Sequence, residues 1–102
     1  VRNKVILLHI KDDVATALTD LQASNRVTAL LDDRAVDVVL AQDVAFGHKV
    51  ALRDIAEGEE ILKYGMPIGK ALCAIHAGEW VHVHNCRSHR WGFHNDTYGL
   101  QA

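Results

Sequence analysis

The stretch VAFGHKVALRDIAEGEEILKYGMPIGKALCAIHAGEWV, residues 44–81, holds one pattern three times: apolar-x-x-Gly-x-x-apolar at Val44–Val50, Ile55–Ile61 and Ile75–Val81. Leu21–Val27 copies it upstream, with Ser24 at the glycine position and Asn25 beside it. A glycine held between two apolar residues at this spacing reads as a turn with positive φ, bracketed by side chains that enter one core. Asn tolerates that backbone region, which keeps the first copy in the set. The three glycines lie 11 and then 20 residues apart. Unequal spacing in a short chain points to a folded-over β architecture and away from a stacked solenoid.

Outward from this core the chain reads as short strands between glycine or acidic turns. Val5–Ile10 is aliphatic and β-branched, and further strands are expected at 26–31, 36–40, 49–52, 60–64, 70–75 and 80–84. Asp32-Asp33 reads as a hairpin turn. Asp12 and Asp13 precede Val14-Ala15-Thr16-Ala17-Leu18, a spacing that predicts a capped helix of about two turns. The expected organisation is a mainly β domain over residues 1–86 with one short helix near the N-terminus, followed by a tail or linker over 87–102.

With 102 residues, the chain makes one domain with a modest core, too small to enclose a large active site by itself. A net charge of -2 provides no broad attraction to nucleic acid or an anionic membrane, so neither is an expected partner. The tail interleaves Arg87, Arg90, Trp91 and Phe93, which suits anchoring on a protein partner better than base stacking in a slightly acidic chain. Cys73 and Cys86 form no CxxC pair and read as free thiols of a reducing, cytoplasmic protein. The apolar run at 5–8 is too short for a membrane span.

Seven histidines are the compositional oddity, since imidazole both ligates metals and moves protons near neutral pH. Three clusters carry them or other polar groups beside glycine turns: Gly47-His48-Lys49, Lys63-Tyr64-Gly65, and His82-Val83-His84-Asn85. If 80–84 is a strand, His82 and His84 leave one face while Val81 and Val83 enter the core. Two histidines at that spacing can share a metal or flank a substrate, although zinc sites take three or four ligands and a polar sheet face is the plainer alternative.

The segments Asp12–Leu18, Gly47–Ile55, Ile61–Gly69 and Gly78–Asn85, in this order, resemble the SAF domain of the altronate/galactarate dehydratase family, which also occurs as the small subunit of sulfolactate sulfo-lyase. The resemblance spans roughly residues 5–86. Asp13, Ser24 and Met66 depart from the family's pattern without touching the histidines or lysines. The resemblance implies a β-clip fold and a larger catalytic domain or subunit as partner. It also implies metal-assisted β-elimination from a hydroxy acid, with iron or manganese in the complete enzyme. A non-catalytic carbohydrate-binding or assembly module is the alternative, and a homo-oligomer is compatible with either. Removing a proton beside a carboxylate builds an enediolate, which requires cations at the carboxylate, a base at the α-carbon and an acid for the departing group. On that chemistry His48, His82 and His84 are expected as acid/base groups, with His82 and His84 as candidate metal ligands. Lys49, Lys63, Tyr64 and Asn85 are the expected substrate-binding residues.

Overall fold

A computed structural model describes residues 4–88. Every regular element among them is a strand: β1 Val5–Ile6, β2 Val14–Ala17, β3 Arg26–Leu31, β4 Arg34–Val39, β5 Lys49–Ala51, β6 Glu60–Lys63, β7 Met66–Ala71, β8 Trp80–Val81 and β9 Cys86–Ser88. They form three antiparallel groups, ordered β1-β2-β5-β8, β3-β4 and β6-β7-β9. No helix of the described residues is long and apolar enough to cross a membrane.

The expected helix at residues 14–18 is absent, and strand β2 stands in its place. A five-residue helix closes too few hydrogen bonds to offset its nucleation cost. It would also bury only one stripe, whereas Val14, Ala15 and Ala17 are all at most 1% exposed. As an inner strand between β1 and β5, the segment hides both faces. Asp12 and Asp13 therefore cap something else. The Asp12 carboxylate accepts the backbone N–H groups of Tyr64 and Gly65, each at 2.7 Å. Asp13 accepts Leu62 N–H at 2.8 Å and the Arg53 Nε–H at 2.8 Å. The acidic pair thus pins the β6–β7 hairpin, some fifty residues away in sequence, to β2.

The β2–β5 layer separates two cores. Ala15, Ala17 and Val50 join Val5, Leu21, Val27, Val38 and Val44 on one side. Val14 and Ala51 join Ile55, Ile61, Ile75, Val81 and Cys86 on the other. The side chains alternate because successive strand residues point to opposite faces, and Lys49 consequently shares the Ala51 face.

The sequence repeat is a structural repeat. Ser24, Gly47, Gly58 and Gly78 have φ of 73°, 86°, 86° and 93°. In each copy the following residue donates to the carbonyl three positions back: Asn25 to Gln22, His48 to Ala45, Glu59 to Ala56 and Glu79 to His76, at 3.0–3.1 Å. The positive-φ residues then donate to Leu40, Ala17, Ala71 and Ala51 in turn, each at 2.8 Å. Turns one and two clasp each other through the Leu21–Val44 bridge, and turns three and four through Ile55–Ile75. Of the three glycines in these turns, Gly78 alone is also sterically compelled, because a Cβ there would run into the Val39 carbonyl oxygen.

Three strand expectations shift, and the first, at 5–10, ends at Ile6 ahead of a turn at residues 10–11. The expected strand at 70–75 lies earlier, as β7, because the two-residue Tyr64-Gly65 turn (φ 60° and 74°) sends the chain straight back along β6. The expected strand at 80–84 stops at Val81, and residues 82–85 turn. Val83, expected in the core, is instead 48% exposed. Asn85 causes the turn: its Oδ1 accepts His82 N–H at 2.9 Å and its Nδ2 donates to the Trp80 carbonyl at 2.8 Å. The expected boundary after residue 86 falls inside β9, which pairs with β7. The expected partner anchors Trp91 and Phe93 lie outside the described residues.

Candidate functional site

A cleft of about 580 Å³ opens beside this turn, bounded by β5, the β6–β7 hairpin and β9. Lys49, Lys63, Tyr64 and His82 line it, with Cys86 and Ser88. Leu8, Met66, Pro67, Ile68 and Val83 complete an apolar wall. Its size is ordinary for a small-molecule site. Among the described residues, no Asp or Glu lines it.

Lys49 enters from the sheet face it shares with Ala51. Burial, followed by the Lys63 charge, lowers its proton affinity below the ordinary lysine value. Lys63 closes β6, and Tyr64 follows it in the left-handed backbone region that Asp12 holds in place. Burial pushes the Cys86 thiol above its ordinary value, against the opposing pull of Lys49. Both cysteines are free, as their spacing predicted, with Cys73 exposed and Cys86 buried.

Three of the predicted histidines gather around one indole. Trp80 stacks on His82 at a ring separation of 5.1 Å and 11° between planes. His84 lies 4.9 Å from the same indole and His48 lies 5.5 Å from it. His48 and His82 are 5.1 Å apart. Trp80 Nε1–H donates to His48 Nδ1 at 3.1 Å, so the neutral His48 ring carries its proton on Nε2. Partial burial, then the His48, Lys49 and His84 charges, lowers the His82 proton affinity, favouring a neutral imidazole at neutral pH. The side chains of His82 and His84 meet the indole even though the strand that was expected to align them is a turn.

Of the seven expected residues, Lys49, Lys63, Tyr64 and His82 line the cleft, His48 adjoins His82, and His84 adjoins Trp80. Asn85 is 4% exposed and its amide is engaged at both ends within the turn, beneath the histidines. Trp80, the hub of the cluster, escaped the sequence reading. The signal was present in Trp80, His82 and His84 alternating with two valines. Leu8 and Met66 were missed as well, because nothing local links them to the lysines.

A metal finds no complete site here. Among the described residues no three His, Cys, Asp or Glu side chains converge as ligands, and His48 Nδ1 already accepts the indole N–H. His82 and His84 fall short of the three or four protein ligands a typical site needs.

Fold and cleft together define an all-strand arrangement of the described residues with a cleft that two lysines line and histidines border. The chain belongs to the altronate/galactarate dehydratase SAF domain family, whose model matches residues 3–89. It is 51% identical over 83 residues to the altronate dehydratase of Escherichia coli, covering 81% of this chain and 16% of that protein. It is 41% identical over 83 residues to the altronate dehydratase of Bacillus subtilis, again 16% of that protein. Against the (2R)-sulfolactate sulfo-lyase subunit alpha of Chromohalobacter salexigens it is 34% identical over 89 residues, covering 83% of this chain and 95% of that subunit. The chain thus spans a small part of the dehydratases and nearly the whole of the lyase subunit.

Proposed function

We propose that this domain is the small, substrate-handling part of a lyase that carries out β-elimination on a hydroxy acid, as in the dehydration of a sugar acid such as altronate or galactarate. The observation that carries the reading is the convergence of Lys49, Lys63 and His82 on a cleft that, among the described residues, no carboxylate lines. The ammonium groups receive the substrate carboxylate and offset the charge that grows on its oxygens as the enediolate forms. His82, favoured neutral by its surroundings, accepts the α-proton. The electron pair of the broken Cα–H bond becomes the Cα–Cβ double bond as the β-group departs. His48 or His84 protonates a leaving hydroxyl to water, and the enol product tautomerises to a 2-oxo acid. Asn85 serves by holding the turn that carries the histidines.

The larger catalytic domain or subunit supplies the rest of the enclosure, because the cleft is open and one small domain provides too few groups. A divalent metal in the complete enzyme, iron or manganese, would take its ligands from that partner and would supply Lewis acidity there, and none of the steps above depends on it. The 95% coverage of a sulfo-lyase alpha subunit supports a second reading, in which this chain is a separate small subunit and the leaving group is sulfite.

The test is an elimination assay on the complete protein or reconstituted assembly, scoring 2-oxo acid from altronate and galactarate and sulfite from sulfolactate. Turnover of any of them supports the lyase reading, and the product separates its two forms. Turnover of none, with tight metal-free binding of a neutral sugar, would establish a carbohydrate-binding module instead.

A further inference from the structure

Lys49 differs from the other described lysines in its surroundings. Lys4, Lys11 and Lys70 are exposed, and Lys63 ends β6 at the exposed Tyr64-Gly65 turn. Lys49 instead is half-buried on the inner strand β5, between β2 and β8, and reaches into the cleft. Among the described residues it has no carboxylate partner, whereas Arg53 is matched by Asp13 at 2.8 Å and by Glu59 at 3.2 Å. Its titratable neighbours are Lys63 and the Cys86 thiol, and His82 is near enough to feel its charge. Leu8, Met66, Pro67, Ile68 and Val83 keep the rest of the space apolar. Loss of water and a facing ammonium both favour the uncharged amine, and an uncharged lysine in such a site is a nucleophile toward carbonyl carbon.

The elimination proposed above ends in a 2-oxo acid. A carboxylate held between Lys49 and Lys63 leaves the new carbonyl carbon one bond away, and Lys63 keeps the carboxylate when Lys49 turns to that carbon. We propose that Lys49 Nζ forms a reversible imine with C2 of a 2-oxo acid in the cleft, holding the product covalently until water returns. The nitrogen lone pair makes the N–C2 bond while the C=O π pair moves to oxygen, and one nitrogen proton passes to that oxygen. In the carbinolamine the nitrogen pair then makes C2=N as the C–O bond breaks. The hydroxyl leaves as water with a proton from His82, which regains one from the iminium nitrogen. Amine and oxo acid thus become imine and water, with nothing oxidised or reduced, and hydrolysis reverses each step. The capture goes beyond the elimination, since it requires a 2-oxo acid in the cleft and no turnover. A 2-hydroxy acid has no carbonyl carbon for the amine to attack, so the reaction separates product from substrate and makes 2-oxo acids inhibitors of the site.

Cyanoborohydride trapping on the complete protein or assembly tests this, with pyruvate as the 2-oxo acid and lactate as the hydroxy-acid control. The reagent reduces C=N to a stable secondary amine, so pyruvate should add the mass of pyruvic acid less one oxygen atom, located by peptide mapping at Lys49. Modification there should exceed that at Lys4, Lys11 or Lys70 by about ten-fold or more, because those lysines lie in open water. Lactate should add nothing, and Lys49→Gln should lose the adduct at an unchanged thermal midpoint. No adduct with pyruvate, an adduct spread evenly over these lysines, or one confined to Lys63 would overturn the proposal, and the map of the unaltered protein decides this however the variant folds. The elimination reading survives all three results, because turnover scores it separately. Trapping at Lys49 without turnover of any substrate would defeat the elimination and leave the 2-oxo acid site standing.

Discussion

Replacing Asp12 with alanine should loosen the cleft from a distance. The carboxylate is 1% exposed and accepts two backbone N–H groups at 2.7 Å, from Tyr64 and Gly65. Hydrogen bonds to a charged group contribute roughly 1.5–3 kcal/mol each, for a gross loss of about 3–6 kcal/mol. Both donors sit in an exposed turn where water can take over, and the parent bears the cost of burying a charge, so the net loss should be about 2–3 kcal/mol. Asp12→Asn keeps one acceptor oxygen and should lose about half as much. Urea unfolding followed by circular dichroism gives the energies, and hydrogen exchange at the Tyr64 and Gly65 amides gives the location. Because Lys63 and Tyr64 ride on this hairpin, anion binding in the cleft should weaken in parallel. A loss below about 0.5 kcal/mol in Asp12→Ala, or unchanged exchange at those two amides, would refute the claim that Asp12 holds the hairpin.

Three further outcomes follow from the same geometry. Gly78→Ala, whose new Cβ meets the Val39 carbonyl, should destabilise by more than about 3 kcal/mol, whereas Gly58→Ala, with open space around it, should cost only about 1–2 kcal/mol for its positive φ; equal thermal shifts would contradict the clash. Ser24→Gly should stabilise by about 0.5–1 kcal/mol in chemical denaturation, because serine holds the left-handed conformation that glycine adopts freely. His82 has a lowered proton affinity in the fold, so the unfolded chain binds more protons there as pH falls. Its contribution to stability is therefore complete above the ordinary imidazole value and is lost as pH drops through the folded one. A series of denaturation curves from pH 7 to 5 should show a shallower decline for His82→Gln than for the parent.

The β-rich character was legible because the turn signal repeats: a positive φ at every fourth residue of the motif, Ser24 included, requires no tertiary knowledge. The helix at 14–18 was misread because two aspartates before a short apolar run look the same whether the amides they cap are local or fifty residues distant. Only the buried return of β6 and β7 decides between them. The strand through 80–84 failed for a related reason, since Asn85 closes the turn by a side-chain bond that alternation does not encode. Of the candidate site, the lysines and histidines were visible as polar residues beside glycine turns. Trp80 was hidden because a half-buried aromatic in a strand looks like core, and Leu8 and Met66 join the cleft only through pairing between distant strands.

The account rests on His82 as the group that takes the α-proton, and one measurement addresses it directly: turnover of the complete protein or assembly carrying His82→Gln, with the thermal midpoint recorded alongside. The account predicts a fall in kcat of about 100-fold or more at unchanged stability, in line with the usual contribution of a positioned base. Turnover equal to that of the parent would contradict it.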